Sequence, residues 1–112
     1  IGKAGAEKAA ADLGVNVSVI MPSSITDQTR KVEDLLNRGT AGIAISPINP
    51  ANQGEVLAKA AAATNLITHD SDAPDSPRRV YIGMDNYEAG LICGKLVRDA
   101  LPDGGKVMLF IG

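Results

Sequence analysis

Apolar and polar positions along the chain recur with two different periods. Residues 2–13 are rich in Ala, Glu and Lys and stop at Gly14, which predicts a helix closed by a glycine. Val15-Asn16-Val17-Ser18-Val19-Ile20-Met21 then alternates and is β-branched, so it predicts a strand. Ser24 and Asp27 are spaced as a capping box. Val32, Leu35 and Leu36 give the helix behind them an apolar face, and Gly39 ends it. Residues 41–45 form a short apolar run of buried-strand type. Asn49 as N-cap and Pro50 at the first helical position predict a helix through Val56, Leu57, Ala60 and Ala61. Leu66-Ile67-Thr68-His69 is the next strand, and a polar loop runs from Asp70 to Arg79. Residues 80–83 predict another short strand. Asp85 and Glu88 repeat the capping pair ahead of a helix carrying Ala89, Ile92, Cys93, Leu96 and Val97. A turn at residues 102–105 leads into a last predicted strand at 106–111. Helices alternating with short apolar strands imply βαβ units. The fold class is therefore α/β, a Rossmann-like parallel sheet with helices on both faces.

Composition narrows this only a little. The chain has 112 residues, a size that suits one domain with a real core. Its net charge of −2 lacks the basic excess of a nucleic-acid or membrane-surface binder, and no apolar run reaches the length of a membrane span. A single cysteine, Cys93, excludes an internal disulfide framework and a multi-thiolate zinc site. Lying between Ile92 and Leu96, it reads as a buried, inert thiol. Aromatic residues are only 3% (Tyr81, Tyr87 and Phe110), and the chain opens at Ile1 inside a helix-like run. The expectation is that a leader has been removed or the start is missing.

Parallel α/β sheets bind ligands beyond the carboxyl ends of their strands. Four segments meet there: Pro22-Ser23-Ser24, Ser46-Pro47-Ile48-Asn49, His69-Asp70-Ser71-Asp72 and Met84-Asp85-Asn86. All are rich in hydrogen-bonding groups, and only the last two carry carboxylates. Such an edge suits a neutral polyhydroxylated ligand, because an ionised carboxylate accepts hydroxyl hydrogen bonds in charge-assisted geometry. A phosphate would call for basic residues or a glycine-rich loop instead. The acids at 70, 72 and 75 are equally compatible with a solvated turn. They do not fit an EF-hand, since Pro74, Asp75 and Tyr81 occupy its fifth, sixth and twelfth positions. A phosphotransferase with a strand-borne Asp-x-Asp nucleophile is the enzymatic alternative, but it needs a lysine and further acids that are not visible. His69 is the lone histidine and reads as structural. Gly90 and Gly94 read as close approach to a sheet, and Asn16-Val17-Ser18 as a chance sequon within a strand. Arg78-Arg79 is too short for a nucleic-acid patch.

The succession of Gly14, Arg38-Gly39-Thr40, Ile45-Ser46-Pro47, Ile67-Thr68-His69-Asp70 and Ile82-Gly83-Met84-Asp85-Asn86-Tyr87-Glu88-Ala89-Gly90 resembles periplasmic sugar-binding proteins of the ribose-binding class. These are the solute receptors of ABC transporters. The resemblance runs over essentially the whole chain; its specific parts are residues 70–76 and 83–87. It implies the type I periplasmic-binding-protein fold, in which two α/β lobes joined by crossing strands close on a sugar. Residues 1–84 would be a first lobe lacking its opening strand and the aromatic loop behind it. Residues 85–112 would be the hinge crossing and the start of a second lobe. Asp70 resembles the family's sugar-binding aspartate. Ser71 stands where ribose binders commonly carry arginine, which points away from ribose and leaves Asp72 as a second contact. Ser46 and Asn49 would line the rim, and Met84 and Asp85 would form the hinge. The resemblance further implies a periplasmic or lipoprotein receptor without enzymatic activity, cofactor or metal. Its partners would be a monosaccharide and a membrane permease, with no nucleic acid. A sugar-responsive repressor's effector domain shares the two-lobe fold and is the alternative binding function; a small flavodoxin-like phosphotransferase is the enzymatic one.

Overall fold

The computed structural model describes residues 2–110. Helix α1 (Gly2–Leu13) stops where sequence demands it. Gly14 enters the left-handed region at φ 66°, and the Val15 N–H donates back to the Ala10 carbonyl at 3.0 Å. Helix α2 (Ile25–Asn37) starts at Ser24, whose hydroxyl accepts from the Asp27 N–H at 3.1 Å. The Asp27 carboxylate accepts in return from the Ser23 N–H at 3.0 Å. That bond, with Lys31 and Arg30 beside it, holds the Asp27 carboxyl well below the usual carboxylate range. Gly39, at φ 69°, closes the helix.

Strand β1 (Gly42–Ile45), helix α3 (Gly54–Ala63), strand β2 (Asn65–His69) and strand β3 (Tyr81–Ile82) follow. The three strands form a parallel sheet in the order β1-β2-β3, with Ile43 beside Leu66 and Thr68 beside Tyr81. Alternation along β1 sends Ile43 and Ile45 into the core, and along β2 it sends Leu66 and Thr68 there. Val32 of α2 and Val56, Leu57 and Ala60 of α3 cover that face, with Leu35 and Leu36 at its margin. Ala73 folds back from the β2–β3 connection and closes the same core. Ala44, on the opposite side of β1, is exposed. Among the described residues the buried core thus lies on one face of the sheet.

Five expectations change. Residues 15–21 and 106–110 are not strands; residue 111 lies outside the described residues. Alternation supplies a strand with an apolar face, but a strand forms only where a neighbour takes its hydrogen bonds. None of the three strands pairs with either segment, and Met21, Val17 and Leu109 are exposed. The helix predicted from Asn49 is divided into a single 3-10 turn, Pro50–Asn52, and α3, with Gln53 between them at φ −111°, ψ 7°. Helix α4 (Asn86–Ala100) forms as predicted, with Asp85 accepting from the Glu88 N–H at 3.0 Å. It has no buried residue, so Cys93 is exposed rather than buried. Gly90 and Gly94 face open space rather than a sheet.

Candidate functional site

The carboxyl ends of β1, β2 and β3 lie side by side and present Ser46, Asp70 and Gly83 at one edge. Asp70 is the conformational exception: among the described residues it is the one non-glycine at positive φ, at 60°. Aspartate tolerates this left-handed state better than most residues, but it persists only where neighbours hold it. Three groups do so. The Asp70 N–H donates to the Ile82 carbonyl at 3.1 Å, its carbonyl accepts from the Tyr81 hydroxyl at 2.9 Å, and its Oδ2 accepts from the Ser46 hydroxyl at 3.1 Å. The Ser46 oxygen also accepts from the Ser71 N–H at 3.4 Å. Ser46, Asp70 and Ser71 therefore form one cluster, with the Asp70 side chain at the surface.

Asp72 points the other way. Its Oδ1 accepts from the hydroxyl of fully buried Thr68 (2.6 Å), from the Ala73 N–H (2.8 Å) and from Arg78 Nε (2.6 Å). Its Oδ2 accepts from Arg78 Nη2 at 2.7 Å. The Arg78 guanidinium holds this carboxyl well below the usual range, helped by Thr68 and Ala73 and opposed by desolvation; the guanidinium is stabilised in its charged form in return. The Asp72 charge is thus compensated inside the loop, and only Oδ2 keeps a free lone pair. Asp70 has no cationic partner among the described residues.

Asn49 is not drawn into the Ser46–Asp70 cluster. Its side chain caps the 3-10 turn by accepting from the Asn52 N–H at 3.3 Å. Met84 is exposed, its carbonyl accepting from the Tyr81 hydroxyl at 3.3 Å, and Asp85 is engaged as the α4 cap.

Beneath the rim lie two residues that the sequence reading passed over. Gln28 and Gln53 are 7% and 1% exposed. Gln53 Nε2 donates to Gln28 Oε1 at 2.8 Å, and that oxygen also accepts from the Ile48 N–H at 3.1 Å. Gln28 Nε2 donates to the Ser46 carbonyl at 2.9 Å, and Gln53 Oε1 accepts from the Asn49 N–H at 2.9 Å. The backbone of the Ser46–Asn49 segment is thereby pinned to α2 and to the start of α3, and Ser46 hands that order on to Asp70. Gln28 lies on the apolar stripe of α2, four residues before Val32, and Gln53 falls in line with the stripe of α3, three residues before Val56; a polar residue at such a position was the available signal. Arg78 was likewise legible only as half of a short basic pair.

Comparison with known proteins gives the arrangement its context. The family model of the periplasmic binding protein domain matches residues 2–112. Comparison with curated protein sequences gave no match. Among solved structures, the chain is 35% identical to an ABC transporter solute-binding protein from Burkholderia graminis in complex with D-arabinose, with a TM-score of 0.82 over 90% of this chain and 36% of that one. It is 32% identical to the sugar-binding protein of a sugar ABC transporter from Bacillus halodurans, with a TM-score of 0.80 over 88% of this chain and 35% of that one. It is 29% identical to a glucose-galactose binding protein from Geobacillus stearothermophilus, with a TM-score of 0.80 over 89% and 37%. The chain spans about a third of the length of these relatives. A parallel α/β sheet with its polar groups gathered at the strand ends, matched over nearly every residue by this family, makes the chain a member of the periplasmic binding protein family.

Proposed function

We propose that the chain belongs to a non-enzymatic, extracytoplasmic receptor that binds a monosaccharide at the Ser46–Asp70 edge and delivers it to an ABC permease. Residues 1–84 belong to a first lobe, and residues 85–112 carry the crossing at Met84-Asp85 into a second. The isolation of α4, which buries nothing against the α2–α3–sheet unit, supports that division. The observation that carries the ligand assignment is Asp70. It stands at the end of β2 in a left-handed conformation, its carboxylate held by the Ser46 hydroxyl and otherwise turned to solvent. A carboxylate fixed in this way accepts sugar hydroxyls without reorganising, and the uncharged surroundings suit a neutral ligand. Ser46 and Ser71 add small polar groups beside it. Asp72 acts mainly by holding the loop, with Oδ2 as its remaining acceptor, and Asn49 shapes the rim. Closure of the lobes over the sugar would then be driven by contacts available only in the shut form.

The test is calorimetry on the protein expressed from its full reading frame, titrated with D-arabinose, D-glucose and D-galactose. Replacing Asp70 by Ala removes charge-assisted bonds of about 1.5–3 kcal/mol each, a loss of roughly ten- to a hundredfold in affinity per bond. Unchanged affinity for the sugar that the wild type binds would remove Asp70 from the site.

A further inference from the structure

We infer that Tyr81 is a positioning residue that holds the candidate ligand-binding Asp70 in its left-handed conformation and ties it to the interlobe crossing at Met84; the inference rests on the receptor reading above. Tyr81 begins β3, and its ring reaches forward along the strand end over Gly83. A Cβ built on Gly83 would collide with Oη and Cζ of this ring, although Gly83 is not among the positive-φ glycines. Glycine is therefore required there to make room for a side chain and not for a turn. The position of the ring is what the room secures. A phenol has a single proton. It goes chiefly to the Asp70 carbonyl at 2.9 Å, with the Met84 carbonyl at 3.3 Å as the longer branch of a shared bond.

The backbone of Asp70 is clamped on both sides of its Cα, by the Ile82 carbonyl on its N–H and by Tyr81 on its carbonyl, while Ser46 orients its carboxylate. Residue 70 sits in a state that a non-glycine chain leaves readily, so losing the clamp on the carbonyl lets the carboxylate wander from the strand end. The same phenolic oxygen touches the first residue of the crossing. A movement of the crossing on closure is thereby transmitted to the carbonyl of Asp70 through one side chain, with no other atom between them.

Calorimetry on the protein from its full reading frame, with D-arabinose, D-glucose and D-galactose, tests this with Tyr81→Phe, Gly83→Ala and the double variant, and with Tyr81→Phe placed on Asp70→Asn. Tyr81→Phe keeps the ring and removes the hydroxyl. It should weaken binding roughly three- to tenfold, the size of one hydrogen bond, while moving the thermal midpoint little. On Asp70→Asn the same change should cost less than about twofold, because the positioned carboxylate is already gone. Gly83→Ala should reproduce the loss by displacing the ring, and adding Tyr81→Phe should cost nothing more. Unchanged affinity of Tyr81→Phe overturns the inference, and so does an equal loss on the wild-type and Asp70→Asn backgrounds or additive losses with Gly83→Ala. A wild type that binds none of the three sugars counts against the receptor reading itself and takes the role of Tyr81 with it.

Discussion

Gln28 and Gln53 show how a buried uncharged pair can set a surface site. Four hydrogen bonds use both amide oxygens and one N–H from each side chain, and no buried side-chain polar atom among the described residues lacks a partner. Gln28→Leu keeps approximate volume and strips the acceptor from the Ile48 N–H and from Gln53 Nε2. Each buried donor left alone costs about 1–3 kcal/mol, so the variant should lose about 2–6 kcal/mol in denaturant unfolding. It should also loosen the Ser46–Asn49 segment, seen as faster amide exchange at Ile48. Stability within about 0.5 kcal/mol of wild type would show that the network carries nothing. In the sequence both residues are polar letters in helices that are otherwise well described by their apolar spacing. Pattern reading assigned the face and skipped the exceptions, because the partner of each glutamine is 25 residues away along the chain. Asp70 was legible for the opposite reason: its position at the end of a recognisable strand is a local property.

At the scale of the element, the β2–β3 connection is the part that the chain order describes least. Eleven residues, 70–80, join two neighbouring parallel strands without a helix. The loop survives because Asp72 reaches Thr68 and Arg78, Ala73 fills the core, and the Arg79 N–H donates to the Leu66 carbonyl at 2.8 Å. Helix starts at Ser24 and Asp85 were readable, since caps lie within three residues of what they cap. The strands predicted at 15–21 and 106–111 were not settled by their own residues, since a strand is completed by its neighbour. The Asp72 carboxyl is held below its unfolded value of 3.8, so the sign of the pH effect is determined. As pH falls below about 4 the unfolded chain takes up the proton first, and the stability that the ionised carboxylate contributes is lost progressively. Asp72→Asn should therefore be less stable than wild type at pH 7, and the gap in thermal midpoint should narrow between pH 4 and pH 2. A gap that stays constant over that range would mean that the ion pair is not what closes the loop. The similarly lowered Asp27 adds acid sensitivity to both proteins and so cancels in the difference.

The 112-residue chain is open in a way that its composition conceals. A hydrophobic content of 45% is ample for a core, yet the radius of gyration is 18.0 Å, against about 13 Å for a compact chain of this length. The apolar residues are present but many stay exposed: Leu91, Ile92, Leu96 and Val97 on α4, and Val15, Val17, Ile20 and Met21 on the segment after α1. An apolar surface of this extent is a surface meant to be covered. Stability should be distributed accordingly, because local opening is cheapest where the fewest apolar contacts must break. In hydrogen exchange on the 112-residue chain, amides of β1, β2 and α3 should be the slowest. Those of α4 should exchange with the protection of an isolated 15-residue helix, which is marginal by itself. In the protein from its full reading frame, α4 should join the slow class while α3 changes little. The change in α4 between the two proteins isolates packing from propensity, since its sequence is the same in both. Equal protection of α3 and α4 in the 112-residue chain would mean that α4 is buried in solution, by self-association or by folding onto the open face of the sheet. The division of the chain near residue 84 would then have to be abandoned.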